Sequence, residues 1–208
     1  MDVKKFRKLP IIGILRGVAP DLLEPLIETI IASGLETIEI TMNTENAGQL
    51  IRKAKSLARQ QLTIGAGTVL DKDSLKSALD SGATFIVTPV LVKEVMDVCV
   101  KSGIPVFPGA LTPQEIFNAW KAGATMVKVF PAKFFGPDYF REIKGPFPDI
   151  ELLACAGVTP ENLKAYFENG ASAIAFGASV FKKEWLAQRD FASIAESIKR
   201  YLCLFPAA

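Results

Sequence analysis

Ala122-Gly123-Ala124-Thr125-Met126-Val127-Lys128-Val129-Phe130-Pro131-Ala132 holds the junction that decides the fold. A helix-like stretch ends at Gly123 and an apolar run begins at once. A glycine just past a helix end supplies the left-handed conformation that closes the helix. The same junction recurs at Ser33-Gly34-Leu35, Ser81-Gly82-Ala83, Ser102-Gly103-Ile104 and Asn169-Gly170-Ala171. Gly34 to Gly82 is 48 positions, Gly82 to Gly103 is 21, Gly103 to Gly123 is 20 and Gly123 to Gly170 is 47, so each long gap holds two units. The chain repeats a helix–glycine–strand unit of roughly 20 to 26 residues, the length of a βα module.

Eight strands are expected from this repeat. They are residues 11–16, 37–41, 63–68, 85–88, 105–107, 126–130, 151–156 and 173–176. Helices are expected from Ala19 to Ser33, from Glu45 to Arg59, after Asp71, after Thr112, after Thr159, and from Asp190 to Leu202. Thr112-Pro113-Gln114-Glu115 is a strong opening, with Thr at N-cap, Pro at N1 and Glu at N3. Strands alternating with helices argue for an α/β fold, a single (β/α)8 TIM barrel spanning residues 1–208 as one domain. The competing fold is an open doubly wound sheet. That fold usually carries Gly-x-Gly-x-x-Gly after its first strand, where this chain reads Leu15-Arg16-Gly17-Val18.

Composition narrows the function. The 208 residues are 50% hydrophobic, enough for one sizeable core. Lysine and arginine number 24 against 22 acidic residues, a net charge of +2, and no basic run is interleaved with aromatics. Neither nucleic acid nor a membrane is an expected partner. The Pro10–Leu15 run is too short to span a bilayer. Cys99, Cys155 and Cys203 lack paired spacing, which argues for a reduced, cytoplasmic setting. Histidine is absent. Histidine triads and the common histidine zinc sites are therefore excluded, and acid–base work falls to carboxylates, lysine, tyrosine, cysteine or water.

In a barrel the chemistry lies at the C-terminal strand ends. Those ends read Arg16, Glu39 with Thr41, Thr68, Thr88-Pro89, Pro108-Gly109, Lys128, Ala156-Gly157 and Gly177-Ala178-Ser179. Lys128 stands in a strand of buried composition. Desolvating an ammonium costs several kcal/mol. The same desolvation favours a neutral amine, which attacks a ketone carbonyl. On this stretch alone, a lysine that snorkels out or sits in a structural ion pair remains the leading reading. Glu39 between Ile38 and Ile40 is equally open between a structural carboxylate and a functional one. Together they are the only ionised residues embedded in apolar strands. A carboxylate facing an amine across a barrel suits Schiff-base chemistry, in which the amine attacks and the carboxylate moves protons. Arg16 has the guanidinium fork that grips a carboxylate, and Thr68 offers a hydroxyl beside it. Their plain readings are a surface arginine and a turn threonine. Gly157 and Gly177-Ala178-Ser179 follow the seventh and eighth strands, where barrel enzymes often hold phosphate, although turn glycines are common anywhere.

The chain also resembles the 2-keto-3-deoxy-6-phosphogluconate (KDPG) and 4-hydroxy-2-oxoglutarate aldolases over nearly its whole length. The matching motifs include Leu9-Pro10-Ile11-Ile12-Gly13-Ile14-Leu15-Arg16-Gly17, Ile38-Glu39-Ile40-Thr41, Gly65-Ala66-Gly67-Thr68-Val69-Leu70, Val87-Thr88-Pro89, Lys128-Val129-Phe130-Pro131-Ala132 and Gly157-Val158-Thr159-Pro160. The resemblance implies a homotrimeric barrel and a metal-independent class I mechanism with no cofactor. It implies that Lys128 forms the Schiff base, that Glu39 shuttles protons, and that Arg16 and Thr68 hold the keto acid's carboxylate. Gly157, Gly177 and Ser179 are then at the phosphate, and Pro89 and Phe130 complete the expected substrate-binding set. The leading expectation is a lyase that cleaves KDPG to pyruvate and glyceraldehyde 3-phosphate. Two departures keep alternatives open. Asn43 stands where many KDPG aldolases carry arginine, as in the sister enzymes for the galactonate epimer. Ala156 stands where the usual loop has glycine, which admits a hydroxyoxoglutarate aldolase or a non-catalytic barrel that binds sugar phosphates.

Overall fold

A computed structural model describes residues 1–205. Nine parallel strands form one sheet, nearly closed into a barrel, with helices between them. In chain order the elements begin with α1 (Val3–Phe6), β1 (Ile11–Leu15), α2 (Leu23–Ala32), β2 (Thr37–Thr41) and α3 (Ala47–Leu57). Next come β3 (Thr63–Gly67), α4 (Lys72–Asp80), β4 (Ile86–Val87), α5 (Lys93–Lys101), β5 (Val106–Phe107), β6 (Gly109–Ala110) and α6 (Pro113–Lys121). The last part holds β7 (Val127–Val129), a 3-10 turn at Ala132–Phe134, α7 (Asp138–Lys144), β8 (Leu152–Cys155), α8 (Leu163–Glu168), β9 (Ala173–Phe176), α9 (Lys183–Ala187) and α10 (Phe191–Leu202). No helix among the described residues is long and apolar enough to cross a membrane.

The expected eight staves are present, and the fifth comes in two pieces. Pro108 lacks an N–H and interrupts the ladder between β5 and β6. β5 pairs with β4, while β6 pairs with β7. The Pro108 carbonyl accepts from the Lys128 N–H at 2.9 Å, so the interruption still ties the two halves together. The five repeat glycines all take the left-handed conformation expected of helix-end glycines, with φ between 65° and 96°. The Thr112 cap is formed as expected: the Glu115 N–H donates to Thr112 Oγ1 at 3.3 Å, and the Thr112 N–H donates to Glu115 Oε2 at 2.8 Å. At Thr159 the helix starts later than expected. The Asn162 side chain accepts from the Thr159 N–H at 2.8 Å and donates to the Gly157 carbonyl at 2.9 Å, and this turn delays α8 to Leu163.

Two apolar layers follow from strand alternation. Outward residues such as Ile38, Ile40, Ile86, Val127, Val129 and Leu152 pack under the helices. Inward residues form a separate core of Phe6, Ile12, Phe85, Phe107, Met126, Leu153 and their neighbours. Phe6 comes from α1, which the sequence reading passed over. Its ring meets Phe107 edge-on at 5.9 Å, and Phe107 meets Phe85 at 5.8 Å. These rings plug the N-terminal end of the barrel, leaving the C-terminal end for chemistry.

Candidate active site

Lys128 lies between Val127 and Val129, both of which face the helices, so its own side chain turns into the barrel. Glu39 occupies the inward position of β2 and pairs in register with Ile14 and Gly65. Lys128 is 6% exposed and Glu39 2%. Neither snorkels to the surface. The Glu39 carboxylate reaches over β3, where a Cβ on Gly67 would lie 2.3 Å from Oε1. Gly67 is therefore glycine because the carboxylate occupies the space of its side chain.

Burial dominates the electrostatics of Glu39. Desolvation pushes its pKa above the usual carboxylate range, and the positive charges of Lys128 and then Arg16 pull the other way. Both cations act on Glu39 through their charge. Cys155 completes the buried group. Burial pushes its thiol up, and the positive charge of Lys128 opposes this.

Arg16 Nη2 donates to Thr68 Oγ1 at 3.2 Å, so the expected pair is brought together. The Gly17 N–H, just after Arg16, donates to Thr44 Oγ1 at 3.0 Å. The buried Thr41 hydroxyl meets the same oxygen at 3.0 Å. These threonines anchor the end of β1 to the turn after β2 and so fix where Arg16 starts. Thr68 itself has φ 55°, an uncommon conformation for a β-branched residue.

A cavity of about 740 Å³ opens at the ends of β1, β7, β8 and β9. Arg16, Phe130, Gly157, Gly177 and Ser179 all line it, and Lys128 Nζ lies 5.2 Å from the centre of the Phe130 ring. Its volume suits a small molecule. Pro89 is placed elsewhere. It lies beyond β4, half-buried, and its carbonyl oxygen would be 2.0 Å from a Cβ on Gly109. The Ser179 hydroxyl meets Tyr201 Oη at 3.3 Å and so has a partner on α10. Tyr201 also donates to the Val158 carbonyl at 2.9 Å, bridging the loops after β8 and β9 from behind.

The sequence reading missed four residues here. Lys133 and Lys183 line the cavity, yet both are exposed lysines in short helical elements and carry no pattern that marks them. From sequence, Cys155 reads as a small buried hydrophobe. Its inward position on β8, two residues beyond Leu153, the register partner of Lys128, was the available signal. Tyr201 lies on the apolar stripe of α10, where an aromatic reads as core.

Fold and site together define a barrel enzyme with a buried amine and a buried carboxylate at its catalytic end. Residues 3–197 match the family model for KDPG and KHG aldolases, and the chain belongs to that aldolase family, making it a lyase. It is 35% identical over 195 residues to 2-dehydro-3-deoxy-6-phosphogalactonate aldolase of Escherichia coli (strain K12), spanning 93% of this chain and 95% of the relative. It is 38% identical over 164 residues to 2-dehydro-3-deoxy-phosphogluconate aldolase of Pseudomonas aeruginosa, spanning 78% and 73%. A solved structure described as native KDPGal superposes with a TM-score of 0.86 at 33% identity, over 94% of this chain and 93% of that one.

Proposed function

We propose that this chain is a Schiff-base aldolase that cleaves 2-keto-3-deoxy-6-phosphogalactonate to pyruvate and glyceraldehyde 3-phosphate. The observation that carries the chemistry is the burial of Lys128 and Glu39 at the C-terminal end of the barrel. The Lys128 amine adds to the C2 ketone and loses water to form an iminium. The iminium accepts the electron pair of the C3–C4 bond as that bond breaks, giving an enamine and an aldehyde. Glu39, through a water, takes the C4 hydroxyl proton and later returns a proton to C3. A carboxyl held above its usual range is suited to both directions of that transfer. Hydrolysis of the imine frees pyruvate. Arg16 with Thr68 is the reading for the carboxylate clamp, and the cavity beyond Phe130 takes the phosphorylated end.

Two observations favour the galactonate epimer over the gluconate expected first from sequence. The E. coli galactonate aldolase matches nearly end to end, and Asn43 stands exposed in the turn after β2. The gluconate epimer remains the second reading, supported by the 38% identity to the P. aeruginosa enzyme. The first test is borohydride trapping with pyruvate and peptide mapping. A pyruvate adduct on Lys128, lost in Lys128→Ala, is expected. A folded protein without an adduct would remove the catalytic reading in favour of a binding-only barrel. Comparison of kcat/KM on the two phosphorylated epimers and on 4-hydroxy-2-oxoglutarate then settles the substrate.

A homotrimer and a cytoplasmic setting belong to the same proposal. Val90, Phe134 and Phe135 are exposed on segments that follow strand ends, an apolar surface that assembly would cover. A monomeric mass of 22.5 kDa in sedimentation would sink the trimer. The buried Cys99 and Cys155 are free thiols, as suits a reducing compartment.

A further inference from the structure

The cavity at the barrel mouth is lined by three cations, Arg16, Lys133 and Lys183, and by no aspartate or glutamate. Arg16 stands at the end of β1, bonded to Thr68. Lys133 and Lys183 reach the same cavity from two later segments of the chain. Lys133 sits in the 3-10 turn after β7, and Lys183 opens α9 after the Gly177-Ala178-Ser179 loop. Lys133 is fixed there by a backbone contact. A Cβ on Gly157 would lie 2.3 Å from Lys133 Cβ and 2.9 Å from its Cα, so the loop after β8 rests directly on Lys133. Ala156, next to it, takes φ 68° and carries a methyl group where glycine would have none.

We propose that Lys133 and Lys183 are specificity-determining residues that recognise the dianionic end of the substrate by side-chain charge. This rests on the aldolase reading above and deepens it. Backbone N–H groups and a serine hydroxyl bind an oxyanion without distinguishing strongly between one charge and two. Paired ammonium groups in a cavity free of carboxylates favour the dianion, because each contributes a charge-assisted hydrogen bond. The Ser179 hydroxyl is already engaged with Tyr201, so the charge on this part of the lining comes from the two lysines. The result is a cavity with a carboxylate end at Arg16 and a phosphate end at Lys133 and Lys183.

The experiment is aldol addition of pyruvate to glyceraldehyde 3-phosphate and, separately, to unphosphorylated glyceraldehyde. Wild type is compared with Lys133→Gln, Lys183→Gln, the double variant and Lys133→Arg. Each glutamine variant should lose roughly tenfold in kcat/KM on the phosphorylated aldehyde, chiefly through KM, and the double variant on the order of 100-fold. The loss on glyceraldehyde should stay within about twofold, and Lys133→Arg should recover most of the activity. Equal losses on both aldehydes, or none in the double variant, would overturn the proposal while leaving the aldolase intact. Failure of the wild type to form a pyruvate imine would overturn the aldolase reading itself and this proposal with it.

Discussion

Strand β3 carries two inward glycines, and they make room for opposite things. At Gly65 a Cβ would lie 2.4 Å from the Phe85 ring, and at Gly67 it would lie 2.3 Å from the Glu39 carboxylate. Gly65 faces the lower half of the barrel, where Phe6 and Phe85 each meet Phe107 edge-on. Gly67 belongs to the upper half, where an amine, a carboxylate and a thiol are buried together. Packing stabilises the lower half, and desolvation costs stability in the upper half. Stability and chemistry are thus sorted along the strand axis, within a single strand and two residues apart.

The largest expected effect comes from the lower half. Phe85→Ala removes the ring that fills the space above Gly65, and it should cost about 3–5 kcal/mol of stability. Pyruvate imine formation on the surviving folded protein should be unchanged, as measured by borohydride trapping well below the melting temperature. Imine formation lost alongside stability would break the separation of the halves. Gly67→Ala is the counterpart in the upper half. Its methyl must displace Glu39, and a misplacement of that size should lower kcat on the order of 100-fold. Its melting temperature should fall less than that of Phe85→Ala. Full activity in Gly67→Ala would mean that Glu39 is not the proton shuttle.

A third variant tests the claim that the buried carboxylate costs stability. The folded-state pKa of Glu39 is raised, so its contribution is favourable only below the unfolded value and is lost as pH rises through the folded one. Glu39→Gln lacks this titration. Relative to wild type it should gain stability from about pH 4.3, the ordinary value for glutamate, up to the raised folded-state value, hold that gain above it, and gain none below about pH 4.3. Thermal melts at pH 5 and pH 8 measure the trend. A gain that shrinks as pH rises would show that Lys128 and Arg16 outweigh desolvation. Aldol cleavage should fall sharply in the same variant.

How far the sequence disclosed these halves follows from the same physics. Glu39 and Lys128 were legible because an ionised residue inside an apolar strand is costly and therefore rare. The glycine junctions were legible because a left-handed helix end strongly selects one residue type. The plug was not. The helix that carries Phe6 is four residues long, too short to show a period. The break at Pro108 was hidden because a proline after a strand reads as its end, while Gly109 and Ala110 resume pairing on the other side. Lys133 and Lys183 were invisible because an exposed lysine in a short helical turn costs nothing and so marks nothing. Only the cavity wall distinguishes them from the chain's other surface cations.

The smallest expected effect concerns the strain carried by the upper half. Ala156 sits at φ 68° immediately before Gly157 at φ 94°, two left-handed residues in succession. For alanine that conformation costs roughly 1–2 kcal/mol. Ala156→Gly removes the cost but adds about 0.4–1 kcal/mol of unfolded-state entropy. The two terms oppose each other, and the strain relief is the larger, so a net stabilisation of about 0.5–1 kcal/mol is expected from chemical denaturation. The same change opens the loop backbone to an oxyanion, which should lower KM for the phosphorylated substrate a few-fold while leaving kcat in place. Stabilisation with a lower KM would mean that this methyl is a cost borne by the catalytic end, offset by the lysines that line the same cavity. Destabilisation would mean that the methyl packs usefully where it stands, and that the upper half is less strained than the lower half is tight.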